Sequence, residues 1–534
     1  MTRMTGGEAV VQSLLAHGLD TVFGLPGIQN DWLYNALYDA GRRVRVIHTR
    51  HEQGAAYMAL GASLARGDIA VCNVVPGPGV LNAAAALATA YALNAQLLFL
   101  CGQIPLGQIG REQGVLHELP DQLGILRSLT KHAARICAPA EAPARIAEAV
   151  ATLRSGRPRP VAVEVPMDVL ESRADVGPPA PDWPVYRPPL DAEASAAAAR
   201  LMADSRAPLI FVGNGAQGVS DLVRTLAEKL EAPVVAYRTG RGVLDSRHPL
   251  SCVLPEARPL WAACDLVIAL GTAVRGPLQS WGANEGRKLI RVDVDPLVHT
   301  RFGKPDVAIT ARLEDALPAL IAELGAHDRP RPSRREAMAA LHGAWGRRSA
   351  VLAPQIGFLR VIRAALGEEG IFVDELTQVG FASRIVMPVY QPRSFISSGY
   401  MGTLGYGFPT ALGVKAVCAR RRVLSVTGDG GFLFGVAELA TAVQHGINLV
   451  TVVFNNEQYG NVQQMQRDLY GGRVIASDLR NPDFERLVSS FGAHYQRART
   501  PAELAPALEQ AFGAGVPSVI EVPVGAMPSV DSFR

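Results

Sequence analysis

The chain lacks any pair of cysteines at CxxC spacing; its six cysteines, Cys72, Cys101, Cys137, Cys252, Cys264 and Cys418, fall mostly within apolar runs. That pattern suits small buried hydrophobes in a reducing compartment, so a cytoplasmic location is expected. An excess of charge of one sign is also missing. The 52 Lys and Arg nearly balance 49 Asp and Glu, a net of +3, which leaves no footprint for a polyanion, and nucleic acid is not an expected partner. No stretch approaches the roughly eighteen uninterrupted apolar residues of a spanning helix. The longest candidate, 81–100, is broken by Asn82, Tyr91, Asn94 and Gln96 and reads as a buried helix followed by a strand. Met1-Thr2-Arg3-Met4-Thr5-Gly6-Gly7 lacks the apolar core of a signal peptide, so no membrane is expected either.

What is there points to a multidomain α/β protein. A length of 534 residues exceeds one core and suggests about three units of roughly 150–200 residues. Apolar strands expected at 44–47, 69–75, 97–100 and 161–165 alternate with helical patterns in a first domain, 1–175. Six prolines between 178 and 189 mark a linker. Strands at 209–212, 234–236, 266–270 and 289–294 define a second domain, 190–326, followed by a charged connector, 327–335. A third domain, 350–534, has strands at 371–373, 423–427, 449–454 and 519–522. The expected fold class is α/β, with three consecutive doubly wound parallel-sheet domains.

The strongest chemical signal lies in the third domain. An apolar strand runs into Gly428-Asp429-Gly430-Gly431, a helix follows, and the next strand ends in Asn455-Asn456. Both polar termini fall at the carboxyl ends of neighbouring parallel strands, where open sheets bind ligands. Asp429 offers a carboxylate, Asn456 an amide oxygen and Gln458 a backbone carbonyl, while the glycines admit a diphosphate. Hard oxygens beside phosphate suit Mg²⁺. With 24 residues, 431–454, between Gly430 and Asn455, and Glu438-Leu439 in the helix, the segment resembles the cofactor motif of the thiamine-diphosphate enzymes.

The resemblance extends over essentially the whole chain, to the acetolactate synthase and 2-oxo acid decarboxylase group, and implies roles elsewhere. Domains one, two and three become pyrimidine-binding, central nucleotide-domain-like and diphosphate-binding. In Arg50-His51-Glu52-Gln53-Gly54, Glu52 would hydrogen-bond the pyrimidine and promote loss of the C2 proton. In Gly399-Tyr400-Met401-Gly402-Thr403-Leu404-Gly405, Leu404 would be the wedge under the bent cofactor, and the Gly402 carbonyl would hold its amino group. Pro78 and Asn82, in a GPGxxN-like turn, would contact the pyrimidine side; Thr377 and Gln378 would lie near the diphosphate. Because the two cofactor-binding domains come from different subunits in this family, a homodimer or homotetramer is implied.

The reaction expected is thiamine-diphosphate- and Mg²⁺-dependent decarboxylation or carboligation of 2-oxo acids or aldehydes through an enamine carbanion. Candidates above the reacting carbon are Gln29, Asn30, Gln113, His117 and Glu118. His117 and Glu118 stand where acetohydroxy acid synthases carry Phe-Gln. They could form an acid/base pair, or simply a solvated loop pair. Met167, Val75, Ile28 and the segment 271–276 also depart from the standard synthase or aryl decarboxylase patterns. FAD stays open but is not favoured: Gly213-Asn214-Gly215-Ala216 and Asp293-Val294-Asp295 could cradle a dinucleotide, yet a lone glycine turn is weak evidence. A flavin-dependent oxidoreductase of the pyruvate oxidase type and a non-catalytic binding protein are the alternatives.

Overall fold

Continuous runs of Val, Leu, Ile and Ala become the inner strands, as expected where helices cover both faces of a parallel sheet. The computed structural model describes residues 1–180, 183–282, 286–327 and 330–533. Pro181 of the expected linker and Asp328 and Arg329 of the expected connector lie outside the described residues.

The first domain contains β1 (Thr2–Thr5), β2 (Thr21–Gly24), β3 (Arg45–His48), β4 (Ala70–Val74), β5 (Leu97–Gln103), β6 (His132–Arg135), β7 (Val161–Pro166) and β8 (Arg173–Val176). β1 and β8 form an antiparallel ribbon, and the other six form a parallel sheet in the order β3-β2-β4-β5-β7-β6. The segment read as helix then strand is the helix Pro78–Leu93 followed by β5.

The central domain has β9 (Pro208–Val212), β10 (Val234–Ala236), β11 (Ser251–Val253), β12 (Leu266–Leu270), β13 (Lys288–Asp293) and β14 (Val307–Thr310), ordered β11-β10-β9-β12-β13-β14. Order reverses between β9 and β12, the topological switch point of a doubly wound sheet.

The third domain has β15 (Ile371–Val373), β16 (Phe395–Ile396), β17 (Val423–Gly428), β18 (Val450–Asn455), β19 (His494–Arg497) and β20 (Ser518–Pro523), ordered β16-β15-β17-β18-β20-β19. Counted from their first sheet strand, the outer domains therefore share one topology, 2-1-3-4-6-5. They also share a core: Phe23, Tyr57, Leu87 and Phe99 of the first pack in one cluster with Tyr406, Phe408, Phe432 and Leu439 of the third. At its centre the helices Glu52–Arg66 and Gly407–Val417 touch backbone to backbone. A Cβ on Gly61 would run into the Thr410 carbonyl, and one on Gly413 into that of Met58.

Two further helices, Arg335–Ser349 and Ala353–Leu366, lead into the third domain. Together they are long and apolar enough to cross a membrane by composition, which a search for uninterrupted apolar runs passes over. Phe358, Leu359, Ile362 and Leu366 of this stretch are buried in the third-domain core, the environment of a core helix.

Candidate active site

β17 and β18 lie side by side, with Gly428 opposite Phe454, so the residues after them meet at one rim of the sheet. Asp429 begins the helix Asp429–Phe434, and its Oδ2 accepts a hydrogen bond from Asn481 Nδ2 at 2.7 Å; the same amide donates to Asn455 Oδ1 at 3.0 Å. Asn456 places its side-chain oxygen position 3.0 Å from the Gln458 carbonyl oxygen and 3.3 Å from Asp429 Oδ1. Three acceptors facing one another repel unless a cation lies between them or the amide turns over to donate. Octahedral ligands about 2.1 Å from Mg²⁺ stand about 3.0 Å apart, near the 3.0 and 3.3 Å that separate Asn456 from the other two oxygens. Among the described residues no group of three His, Cys, Asp or Glu could hold a metal, so this oxygen set brings one charge and suits a cation that also takes anionic oxygens from a ligand. Burial pushes the Asp429 carboxyl up, with the Asn481 hydrogen bond opposing it, a cost that a cation would relieve.

Gly430 packs beneath the Tyr459 ring, 2.6 Å from where a Cβ would stand, so no side chain fits between loop and ring. Thr377 lies beside Gly428. Gln378 is close by, but its amide is engaged by the C-terminal segment: Oε1 accepts the Met527 N–H and Nε2 donates to the Gly525 carbonyl at 3.5 Å.

In the first domain Glu52 opens the helix Glu52–Arg66. It is buried, and Oε2 accepts from Asn82 Nδ2 at 3.0 Å. Pro78 is the first residue of the helix Pro78–Leu93, a position that needs no N–H. Gly77 before it takes φ +60 and donates its N–H to Gln122 Oε1 at 2.9 Å. The entry to the Glu52 helix is fixed from the third domain: the Glu438 carboxylate accepts from His51 N at 3.0 Å and Arg50 N at 3.2 Å. Between the domains runs the Leu404 loop. Gly402 is exposed at φ +52, Leu404 is half-buried, and the Gly405 N–H is bound by Glu375.

The remaining candidates separate. Gln29 is buried; its Nε2 donates to the Leu116 carbonyl at 3.0 Å, so its Oε1 faces His117 Nδ1 at 3.0 Å. Nδ1 therefore carries the proton, and in the neutral ring Nε2 keeps the lone pair. His117 thus pairs with Gln29 rather than with Glu118, whose Oε2 accepts from Val115 N at 3.0 Å and whose Oε1 is buried without a protein partner. Asn30 is taken up by its own turn, bonding Gly27 N, the Leu25 carbonyl and Asn73, and is structural. Gln113 is exposed on the loop. Glu375, Glu438 and Gln122 join the site without being among the residues expected there. The signal available was an acid directly after an apolar strand, at Glu375, or opening a buried helix, at Glu438.

No hydrogen bond among the described residues joins Glu52 or Asn82 to Asp429, Asn456 or Gln458. Large apolar side chains are exposed close in sequence to the candidate residues: Ile28, Leu81 and Leu116 in the first domain, Tyr400, Phe434, Val462 and Met465 in the third. The oxygens and glycines fit a diphosphate and its metal, with Glu52 held by other partners.

In the central domain, Gly213-Asn214-Gly215-Ala216 follows β9 at the switch point. Asn214 Nδ2 donates to the Leu93 carbonyl at 3.2 Å, and Asp295 pairs with Arg157 at 3.2 Å, so both reach the first domain. Gly215 and Gly271 abut backbone to backbone.

Three family descriptions match the chain: thiamine pyrophosphate enzyme, N-terminal TPP binding domain, over residues 4–125; its central domain over 195–320; and its C-terminal TPP binding domain over 376–522. A protein of Pseudomonas aeruginosa named a probable 2-ketoarginine decarboxylase is 34% identical, across 97% of this chain and 94% of its own length. A probable acetolactate synthase large subunit of Methanocaldococcus jannaschii is 32% identical, across 99% of this chain and 93% of its own. An acetolactate synthase of Mycobacterium bovis is 31% identical, across 98% and 89%.

Proposed function

Because the chain belongs to the thiamine pyrophosphate enzyme family, we propose that it binds thiamine diphosphate through Mg²⁺ held by Asp429, Asn456 and Gln458 and decarboxylates a 2-oxo acid. The observation that carries this reading is the convergence of those three oxygens beside the glycines at the ends of β17 and β18. Bound thiamine diphosphate supplies an electron sink for the pair released as CO₂ leaves a 2-oxo acid.

The chain's own groups do the rest. Gly428, Gly430 and Gly431 let the diphosphate approach the backbone, and Thr377 and Gln378 border it. Leu404 and the Gly402 carbonyl would orient the pyrimidine, and Pro78 and Asn82 would contact it. Glu52, held by Asn82 and by the Glu438-bound helix entry, is placed to exchange a proton with the pyrimidine. Gln29 holds His117 through Nδ1, which leaves Nε2 to carry a proton toward the reacting carbon, the transfer that would give an aldehyde. Glu118, with one buried free oxygen, is placed to meet a donor on the substrate. Carboligation, the activity of the synthases among the relatives, uses the same site with a second carbonyl in place of that proton.

We place the active sites between two copies of the chain, in a homodimer or homotetramer. The exposure of Ile28, Leu81, Leu116, Val462 and Met465 supports this, as does the absence, among the described residues, of a hydrogen bond joining Glu52 or Asn82 to Asp429, Asn456 or Gln458. Flavin has no part in the proposal, since Asn214 and Asp295 are used in contacts with the first domain. A cytoplasmic location is supported by six unpaired cysteines, four of them buried.

Product analysis tests the reaction. With thiamine diphosphate and Mg²⁺, CO₂ and aldehyde should form from at least one member of a panel running from pyruvate to 2-ketoarginine. Acetolactate from pyruvate as the main product would overturn the assignment of His117 as proton donor, and no CO₂ from any member would overturn the reaction.

A further inference from the structure

Glu375, which follows β15, has a carboxylate that is fully enclosed and met by three donors. Oε1 accepts the Gly405 N–H at 2.7 Å; Oε2 accepts the Gly407 N–H at 3.2 Å and the Thr427 hydroxyl at 2.6 Å. The two backbone N–H groups can only donate and match the ionised form, while the Thr427 hydroxyl, also 3.1 Å from the Gly428 carbonyl, shares its proton between two acceptors. Burial opposes it and pushes the carboxyl up to about 7, with the same three hydrogen bonds pulling it down. The sequence leaves room for this group. A Cβ on Gly407 would stand 2.7 Å from Oε2, and one on Gly431 would run into Oε1.

The partners come from two loops. Gly405 and Gly407 bracket the residue after which the helix Gly407–Val417 begins, directly beyond Leu404. Thr427 and Gly431 bracket Gly428-Asp429-Gly430. We propose that Glu375 is a positioning residue that locks the Leu404 loop to the Asp429 loop, so that the apolar wedge and the diphosphate cradle are in register before thiamine diphosphate arrives. The inference rests on the thiamine-diphosphate reading of those two loops. Being enclosed, Glu375 touches neither substrate nor solvent and acts through backbone amides. Glutamine keeps its shape but has a single acceptor oxygen, so at least one buried N–H would face an NH₂ group.

Hydrogen exchange on the cofactor-free full chain, paired with calorimetric titration of thiamine diphosphate in Mg²⁺, tests it. In Glu375→Gln the amides around 405–407 should lose protection, while protection of the central-domain sheet stays that of the wild type. Affinity for thiamine diphosphate should fall on the order of tenfold, the equivalent of one unpaired buried donor. At saturating cofactor the KM for the 2-oxo acid should be unchanged. Wild-type protection and affinity in Glu375→Gln would overturn the proposal. Should that variant fail to fold, Thr427→Val, which removes one donor without changing shape, decides the question: affinity about threefold or more weaker supports the lock, and unchanged affinity refutes it. Failure of the wild type to bind thiamine diphosphate would instead strike at the cofactor reading itself.

Discussion

Asp429 brings the one negative charge to the converging oxygens, and Glu52 brings a carboxylate held by one amide, so their losses should differ in kind. Asp429→Ala should weaken Mg²⁺-dependent binding of thiamine diphosphate by about a hundredfold, read by titration at fixed Mg²⁺. Glu52→Gln should bind the cofactor within about twofold of wild type yet lose roughly 10²–10⁴ in turnover, the usual range for a positioned proton-transfer group. Equal turnover in Glu52→Gln would remove it from the chemistry. Asp429 could be singled out in the sequence because it stands just beyond an apolar strand among glycines, whereas Glu52 was singled out only through the family resemblance of its segment. The pairing of His117 with Gln29 was not legible there. It depends on a loop in which His117 takes φ +67, and no local pattern announces that geometry. Asn30, beside Gln29 in sequence, proved to serve its own turn.

At the scale of elements, most inner strands could be read to within a residue or two, since burial on both faces writes them as unbroken apolar runs, but β2 was not read at all and β5 runs three residues beyond its expected end. Strands at the sheet edges, β3 apart, could not be read. β6 reads His-Ala-Ala-Arg and β19 reads His-Tyr-Gln-Arg, while β11 and β16 have three and two residues. Edge strands are covered less and can be polar or short. Also hidden was the pairing of the helices Glu52–Arg66 and Gly407–Val417. Their small residues are visible, but the partner each needs is more than 340 positions away. Because a Cβ at position 413 would meet the Met58 backbone, Gly413→Val should destabilise the chain by about 1–3 kcal/mol or more through forced separation of these helices. Thermal unfolding would show it, and a Tm equal to the wild type would mean that the contact is looser than described.

At the scale of the molecule, length and the proline-dense linker were enough to count three domains, but not to show that the first and third share one core while the second keeps its own. That arrangement puts Glu52 and Asp429 on one chain without joining them. The account holds that a complete site takes Glu52 from one copy and Asp429 from another. Mixing Glu52→Gln with Asp429→Ala after joint dissociation and reassembly tests this directly. Each variant alone should be nearly inactive. In random mixtures half the dimers are mixed, and each mixed dimer has one site with both residues intact, so CO₂ release should recover to about a quarter of the wild-type level. A reassembled mixture, shown to contain mixed dimers, that stays as inactive as its components would contradict the account and place both residues in a site within one chain.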